Sequence, residues 1–263
     1  MTDGGSGRPF RKALLTGAAG GLGSQLARLL AADGVELILL DRNEAGLEAL
    51  RAELANTVAT EACLIDLRRH DELEQRLRGL VERHGAIDLV IANAGIDHPM
   101  RMAACDWRNL VDHFATNVEA NFVLLAVLVP RLLAQGGGHV AAISSLGGLA
   151  GFPYEAGYCA SKAALSAFIE SARAELVPKG ITFTTIHPGF IDTAMLHGNA
   201  FEVPRSMTAP YAAHRIYRAI RARKPTLYFP RSTHFLILLS KLLPIWIRDR
   251  VARNAMKKDY ARS

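Results

Sequence analysis

Residues 12–34 read KALLTGAAGGLGSQLARLLAADG. A short apolar run leads directly into a glycine-rich turn, and the turn opens a helical stretch that Gly34 is placed to stop. The small residues of TGAAGGLG (16–23) let backbone N–H groups and the following helix N-terminus approach a pyrophosphate, where the helix dipole favours negative charge. A tight strand–helix turn by itself needs similar residues. The position of this one, after the first strand and at the head of a helix, is the context that a dinucleotide-binding turn requires.

The same alternation continues along the chain. Further apolar runs are ELILLD (36–41), EACLID (61–66), IDLVIAN (87–93), HVAAISS (139–145), ITFTTIH (181–187) and TLYF (226–229), with helical stretches between them. Runs this apolar, without strict alternation, suit strands covered on both faces. Repeated strand–helix units predict an α/β fold: a single-domain, Rossmann-like, doubly wound parallel sheet with helices on both faces. Ligands of such sheets bind beyond the carboxyl ends of the strands.

At 263 residues, half of them hydrophobic, the chain suits one large domain. Residues 1–10 read as a disordered polar leader, 11–230 as the dinucleotide-binding and catalytic domain, and 231–263 as a basic amphipathic extension. Cys63, Cys105 and Cys159 are odd in number and scattered. They imply neither a disulfide framework nor a metal site, and fit a reducing, cytoplasmic setting. The net charge of +6 is uneven: Arg205–Ser263 holds 14 Lys+Arg against 2 Asp+Glu. That split hints at an anionic partner for the C-terminal end.

The second strand ends on Asp41, eighteen residues after Gly23. A carboxylate there accepts hydrogen bonds from both ribose hydroxyls and repels a 2′-phosphate, so NAD is the expected cofactor. Arg42 follows immediately and would suit NADP instead.

The spacing TGxxxGxG, Asp66 at the third strand end, Asn93-Ala94-Gly95, Asn117, Ser145, the pair Tyr158 and Lys162, and Pro188-Gly189 with Thr193 together resemble the short-chain dehydrogenase/reductase family. The resemblance extends to about residue 230. It implies a catalytic set of Ser145, Tyr158, Lys162 and Asn117. It also implies a cofactor site built from Gly17, Gly21, Leu22, Gly23, Asp41, Arg42, Asp66, Leu67, Asn93, Ala94, Gly95, Tyr158, Lys162, Pro188, Gly189, Ile191 and Thr193. Members of the family are usually homodimers or homotetramers.

Residues 157–165, GYCASKAAL, place Tyr158 and Lys162 one helical turn apart on one face. Moving a hydride between a nicotinamide and a carbonyl requires a proton to move in step. A phenol ordinarily titrates near pH 10, so bringing it into the neutral range takes roughly 4 kcal/mol of differential stabilisation. The Lys162 ammonium, with the positive nicotinamide ring, is the expected source. By resemblance Ser145, rather than its neighbour Ser144, hydrogen-bonds the substrate oxygen, and Asn117 holds a water that links Lys162 to solvent. Asp97 and His98 read as residues shaping the loop at the site mouth, and His187 and Cys159 as packing residues.

Past Thr193 the chain reads AMLHGNAFEVPRSM, where family members close over substrate. Met195, Leu196 and Phe201, with Phe152 and Phe190 beside Ser145, predict an apolar substrate pocket. The tail RSTHFLILLSKLLPIWIRDRVARNAMKKDYARS (231–263) is broken by Lys241 and Pro244 and is too short to span a bilayer as one helix. One reading is a helix pair covering the cleft or a subunit interface, with its basic face solvated. The other is peripheral contact with anionic lipid, which makes a lipid-like alcohol or ketone the natural substrate. Few aromatics interleave the charges, which argues against nucleic acid. Three functions remain in view: an NAD-preferring dehydrogenase/reductase of apolar secondary alcohols, an NADPH-dependent 3-oxoacyl reductase, and a nucleotide-sensing protein with little turnover.

Overall fold

The computed structural model describes residues 10–197 and 206–260. Its strands are Lys12–Thr16 (β1), Glu36–Asp41 (β2), Thr60–Leu64 (β3), Leu89–Ala92 (β4), Gly138–Ile143 (β5), Ile181–Pro188 (β6), Ile191–Asp192 (β7), Met207–Thr208 (β8) and Thr226–Phe229 (β9). The helices are Gly21–Ala32 (α1), Glu44–Leu54 (α2), His70–His84 (α3), Trp107–Phe114 (α4), Ala120–Ala134 (α5), Ala156–Leu176 (α6), Ala194–His197 (α7), Ala209–Arg221 (α8), Arg231–Lys241 (α9) and Ile245–Tyr260 (α10).

Seven strands pair in parallel in the order β3-β2-β1-β4-β5-β6-β9, and β7 pairs with β8 in a separate ribbon. The order reverses direction beside β1, so a crevice opens between the carboxyl ends of β1 and β4. Adjacent strand residues point to opposite faces. Leu15 and Leu39 pack with Leu26 and Leu30 of α1 and Ile216 and Ile220 of α8. Leu14 and Ile38 pack on the other face with Leu77 of α3, Leu124 of α5 and Leu165 of α6. Burying each such leucine stabilises the fold by about 1.5–3 kcal/mol, which is why these strands read as unbroken apolar runs.

The expected strand ends shift slightly: Asp66 and Ser145 each lie two residues beyond their strands, which close at Leu64 and Ile143. Both are therefore on the loops over the crevice. Residues 1–9 of the expected leader lie outside the described residues. Phe10, also assigned to that leader, is buried: it stacks on His139 and lies under the Arg223 guanidinium. Its ring seals the amino-terminal end of the sheet. The helical stretch Trp107–Ala134 is long and apolar enough to cross a membrane by composition, but half of its most apolar window is buried in the protein. It packs as a core helix.

Candidate functional site

The glycine-rich turn is tied to the turn after β4. Thr16 Oγ1 accepts from the main-chain N–H groups of Asn93 and Ala94, each at 3.1 Å. Asn93 Nδ2 donates to the carbonyls of Thr16 and Gly17, each at 3.0 Å. The close approach demands glycine: Gly17 has φ +65°, and a Cβ there would lie 2.8 Å from Ala94 Cα. A Cβ on Gly23 would lie 2.0 Å from the Gly17 carbonyl oxygen. Helix α1 begins without a side-chain cap, so its first N–H groups remain for a ligand.

Asp41, at the end of β2, accepts from Ala19 N at 2.8 Å and Asn43 N at 2.9 Å. The carboxylate is held at the cleft wall beside the glycine turn. Arg42 also lines the cleft and is exposed. Asp66 is engaged by Arg68 through its guanidinium at 2.7 Å and its main-chain N–H at 3.1 Å, and these hold its carboxyl below the usual range. Leu67 follows on the same wall. Across the cleft, Pro188, Gly189, Ile191 and Thr193 form the opposite rim, with Thr193 against Gly21. A side-chain-free floor, an uncapped helix end and a carboxylate at the second strand suit a dinucleotide.

The expected catalytic residues divide into those on the cleft and one behind it. Ser145, Tyr158 and Lys162 all line it. Ser144 does not compete for the substrate role, because its hydroxyl donates to the Lys162 carbonyl at 3.0 Å and pairs with Ser166. Ser145 Oγ accepts from Gly147 N at 2.9 Å and stands near the phenol. Asn117 lies in a π-helical turn, Ala115–Glu119, and is fully buried. Its side chain bonds both main-chain groups of Ile96 and donates to Ser161 Oγ at 2.9 Å. Ser161 in turn donates to the Tyr158 carbonyl at 2.8 Å. Asn117 thus holds the loop after β4 against α6, and its main-chain oxygen is taken by Asn121 Nδ2.

The Lys162 ammonium is buried and donates to the Ile143 carbonyl at 2.9 Å. A Cβ on Gly95 would crowd it at 3.1 Å and Asn117 Oδ1 at 3.2 Å, so the glycine of the NAG turn makes room for this ammonium. Burial lowers the Lys162 pKa to about 8, opposed by the Asp97 charge. In the chain by itself, burial pushes the Tyr158 phenol up, a hydrogen bond to Ser145 opposes it, and Asp97 and Glu155 push it further. The ammonium lies 5.8 Å from the centre of the Tyr158 ring and is turned toward Ile143. The chain alone therefore does not prepare a phenolate.

Glu155 escaped the sequence reading, and Asp97 was assigned only to loop shape. Both line the cleft. Spacing held a signal for Glu155, since i and i+3 share a helix face with Tyr158. Buried His187 has its pKa lowered to about 4 and stacks on Tyr228, as expected of a packing residue. Burial likewise pushes the Cys159 thiol up to about 11.

The cleft encloses about 2300 Å³. Phe152, Phe190, Met195 and Leu196 all line it, while Phe201 lies outside the described residues. Its outer wall includes Leu236, Leu243 and Ile245 of the C-terminal segment. Residues of the extension thus line the cleft, while Leu242 is 81%, Ile245 66% and Trp246 65% exposed.

The family model described as short chain dehydrogenase matches residues 11–202. An uncharacterized oxidoreductase of Myxococcus xanthus is 34% identical over 93% of this chain and 97% of its own length. Epidermal retinol dehydrogenase 2 of Mus musculus is 32% identical, covering 88% of this chain and 78% of the relative. The 3-oxoacyl-(acyl-carrier-protein) reductase FabG of Rickettsia conorii is 33% identical, covering 70% and 74%. The crystal structure of levodione reductase superposes with a TM-score of 0.76 at 26% identity, over 82% of this chain and 94% of that one. Matching in sequence across most of its length and in the topology of its sheet, the chain belongs to the short-chain dehydrogenase/reductase family, whose members are NAD(P)-dependent oxidoreductases.

Proposed function

We propose that the protein is an NAD-preferring enzyme that transfers a hydride between the nicotinamide and an apolar secondary alcohol or ketone. The observation that carries the cofactor preference is the Asp41 carboxylate, fixed at the end of β2 by two main-chain donors. In that place it accepts from ribose hydroxyls and repels a 2′-phosphate. The nicotinamide supplies or accepts the hydride. Tyr158 gives a proton to the developing alkoxide or takes one from the alcohol, Ser145 donates to the same oxygen, and Lys162 holds the ribose and the charge balance. The apolar substrate is supported by Phe152, Met195, Leu196, Leu236 and Leu243 around the cleft, and by a relative named for retinol, an apolar alcohol.

Reduction of 3-oxoacyl chains with NADPH is the second reading. It is favoured by Arg42 beside Asp41 on the cleft wall and by the FabG relatives. Parallel titrations with NADH and NADPH separate the two, and tight NADPH binding with none for NADH overturns the first. A turnover screen over secondary alcohols, steroids and fatty hydroxy compounds, run beside Tyr158→Phe, tests the chemistry. Cofactor binding without turnover of any of these compounds favours a nucleotide sensor.

The reading extends to partners. A homodimer or homotetramer is supported by Trp107, Val111 and Phe122 exposed on α4 and α5, and light scattering tests it. A cytoplasmic enzyme touching anionic lipid through α9 and α10 is supported by exposed Phe235, Leu242, Ile245 and Trp246 beside Lys241, Arg248 and Arg250.

A further inference from the structure

Among the described residues, no protein donor reaches three buried carboxylate oxygens on the cleft wall that holds Tyr158: Asp97 Oδ1 and both Oε atoms of Glu155. Glu155 is 7% exposed and precedes α6, three residues before the tyrosine. Asp97 stands on the loop after β4. An ionised carboxylate buried without a donor is costly, and two side by side are worse.

Among the described residues, His113, Lys162, Cys159, Tyr158 and His98 stand around the pair without donating to these oxygens. From α4, His113 accepts from His98 N through Nε2 and uses Nδ1–H on the Asn109 carbonyl, so neither nitrogen offers a proton to Asp97. From α6, the Lys162 ammonium is turned to Ile143, and the Cys159 thiol and Tyr158 hydroxyl each feel Asp97 and Glu155 as nearby negative charges. His98, beside Asp97 in the loop, has its ring exposed and set edge-on to His113. What can join the two carboxyl groups is a proton.

We propose that Asp97 and Glu155 share one proton, carried by Glu155, and that the pair positions charge for the Tyr158–Lys162 proton transfer. In this state Asp97 supports the Lys162 ammonium, and neutral Glu155 spares Tyr158 a second negative neighbour. Burial and Asp97 agree with this by holding the Glu155 carboxyl up to about 9. When the shared proton leaves at high pH, the new charge opposes a phenolate on Tyr158. Glu155 and Asp97 are positioning residues here, and their catalytic consequence rests on the proposed role of Tyr158 and Lys162.

Two measurements test the proposal separately. The folded state keeps a proton that the unfolded chain releases in the ordinary carboxyl range. Wild-type stability therefore falls as pH rises from about 4.5 toward about 9 through this group. Glu155→Gln has no such proton to lose, so its Tm should rise relative to wild type by roughly ten degrees or more across that window. A Tm difference that does not change with pH overturns the shared proton, whatever the enzyme turns over. If Glu155→Gln does not fold, infrared spectra of the wild type decide instead. A protonated-carboxyl band at neutral pH that disappears on alkaline titration supports sharing, and its absence at neutral pH overturns it.

The second measurement is the pH profile of kcat/KM. Glu155→Gln should remove the further fall that ionisation of Glu155 adds to the alkaline limb near pH 9, above the fall set by Lys162 near 8. Asp97→Asn should move that limb downward by about one pH unit or more, because the ammonium loses its neighbouring anion. Coincident limbs in all three proteins overturn the coupling to catalysis while leaving the Tm result to judge the shared proton.

Discussion

The ammonium of Lys162 is buried against the main-chain oxygen of Ile143, at 2.9 Å, so the middle of α6 is pinned to the end of β5. This contact sets activity and stability against each other on the alkaline side. The folded chain holds Lys162 at about 8, below the ordinary lysine value of 10.5. Between those values the unfolded state binds more protons, so stability rises with pH as the burial penalty is relieved. Turnover, which uses the charged form, should fall as pH rises through about 8, where that window begins. Lys162→Met should lose roughly 10²–10⁴-fold in kcat and should flatten this part of the stability profile, read by thermal unfolding.

Tyr158→Phe removes only the hydroxyl that carries the proton. We expect a loss of roughly 10²–10⁴-fold in turnover, with NADH still bound in a fluorescence titration. Loss of binding together with turnover would instead give the hydroxyl a structural role.

Asp41→Ala removes a carboxylate that accepts from Ala19 N and Asn43 N. Each lost hydrogen bond to a charged group costs about 1.5–3 kcal/mol. NADH affinity should fall by roughly 10-fold or more, and NADPH should gain relative to NADH as the repulsion disappears. Parallel titrations with the two dinucleotides measure both effects.

His139 is buried beneath Phe10. Nδ1–H donates to Thr182 Oγ1 at 2.8 Å and Nε2 accepts from Thr184 Oγ1 at 3.0 Å. Burial lowers its pKa to about 3, from 6.5. The neutral ring's contribution is present above about pH 6.5 and is lost as pH falls toward about 3, because the unfolded state takes up the proton first. His139→Gln keeps a donor and an acceptor without titrating. Its Tm should fall less steeply than wild type on acidification, as followed by circular dichroism.

The C-terminal segment should bind vesicles containing anionic lipid and bind neutral ones weakly. Charge reversal at Lys241, Arg248 and Arg250 should remove most of this binding, at about 1 kcal/mol per cation near the surface. Trp246→Ala should weaken it through lost apolar contact. Sedimentation with neither vesicle type would leave α9 and α10 as cleft cover alone.

Much of this protein was legible as local pattern. Apolar runs separated by helical stretches determined a parallel sheet covered on both faces, because only a doubly buried strand tolerates an unbroken apolar run. Gly17 and Gly23 marked the turn where backbone meets backbone, and the four-residue spacing of Tyr158 and Lys162 placed both on one helix face. These features lie within one or two turns of chain, where stereochemistry decides.

Tertiary structure alone decided what depended on residues far apart in sequence. It spent the Ser144 hydroxyl on the Lys162 carbonyl and left Ser145 at the cleft. It turned Asn117 behind the wall, where the amide holds Ile96, and buried Phe10 against His139. It also brought Asp97 onto the same cleft as Glu155, 58 positions later in the chain. Strand order and helix packing set such meetings, and no periodicity within either segment encodes the distance between them.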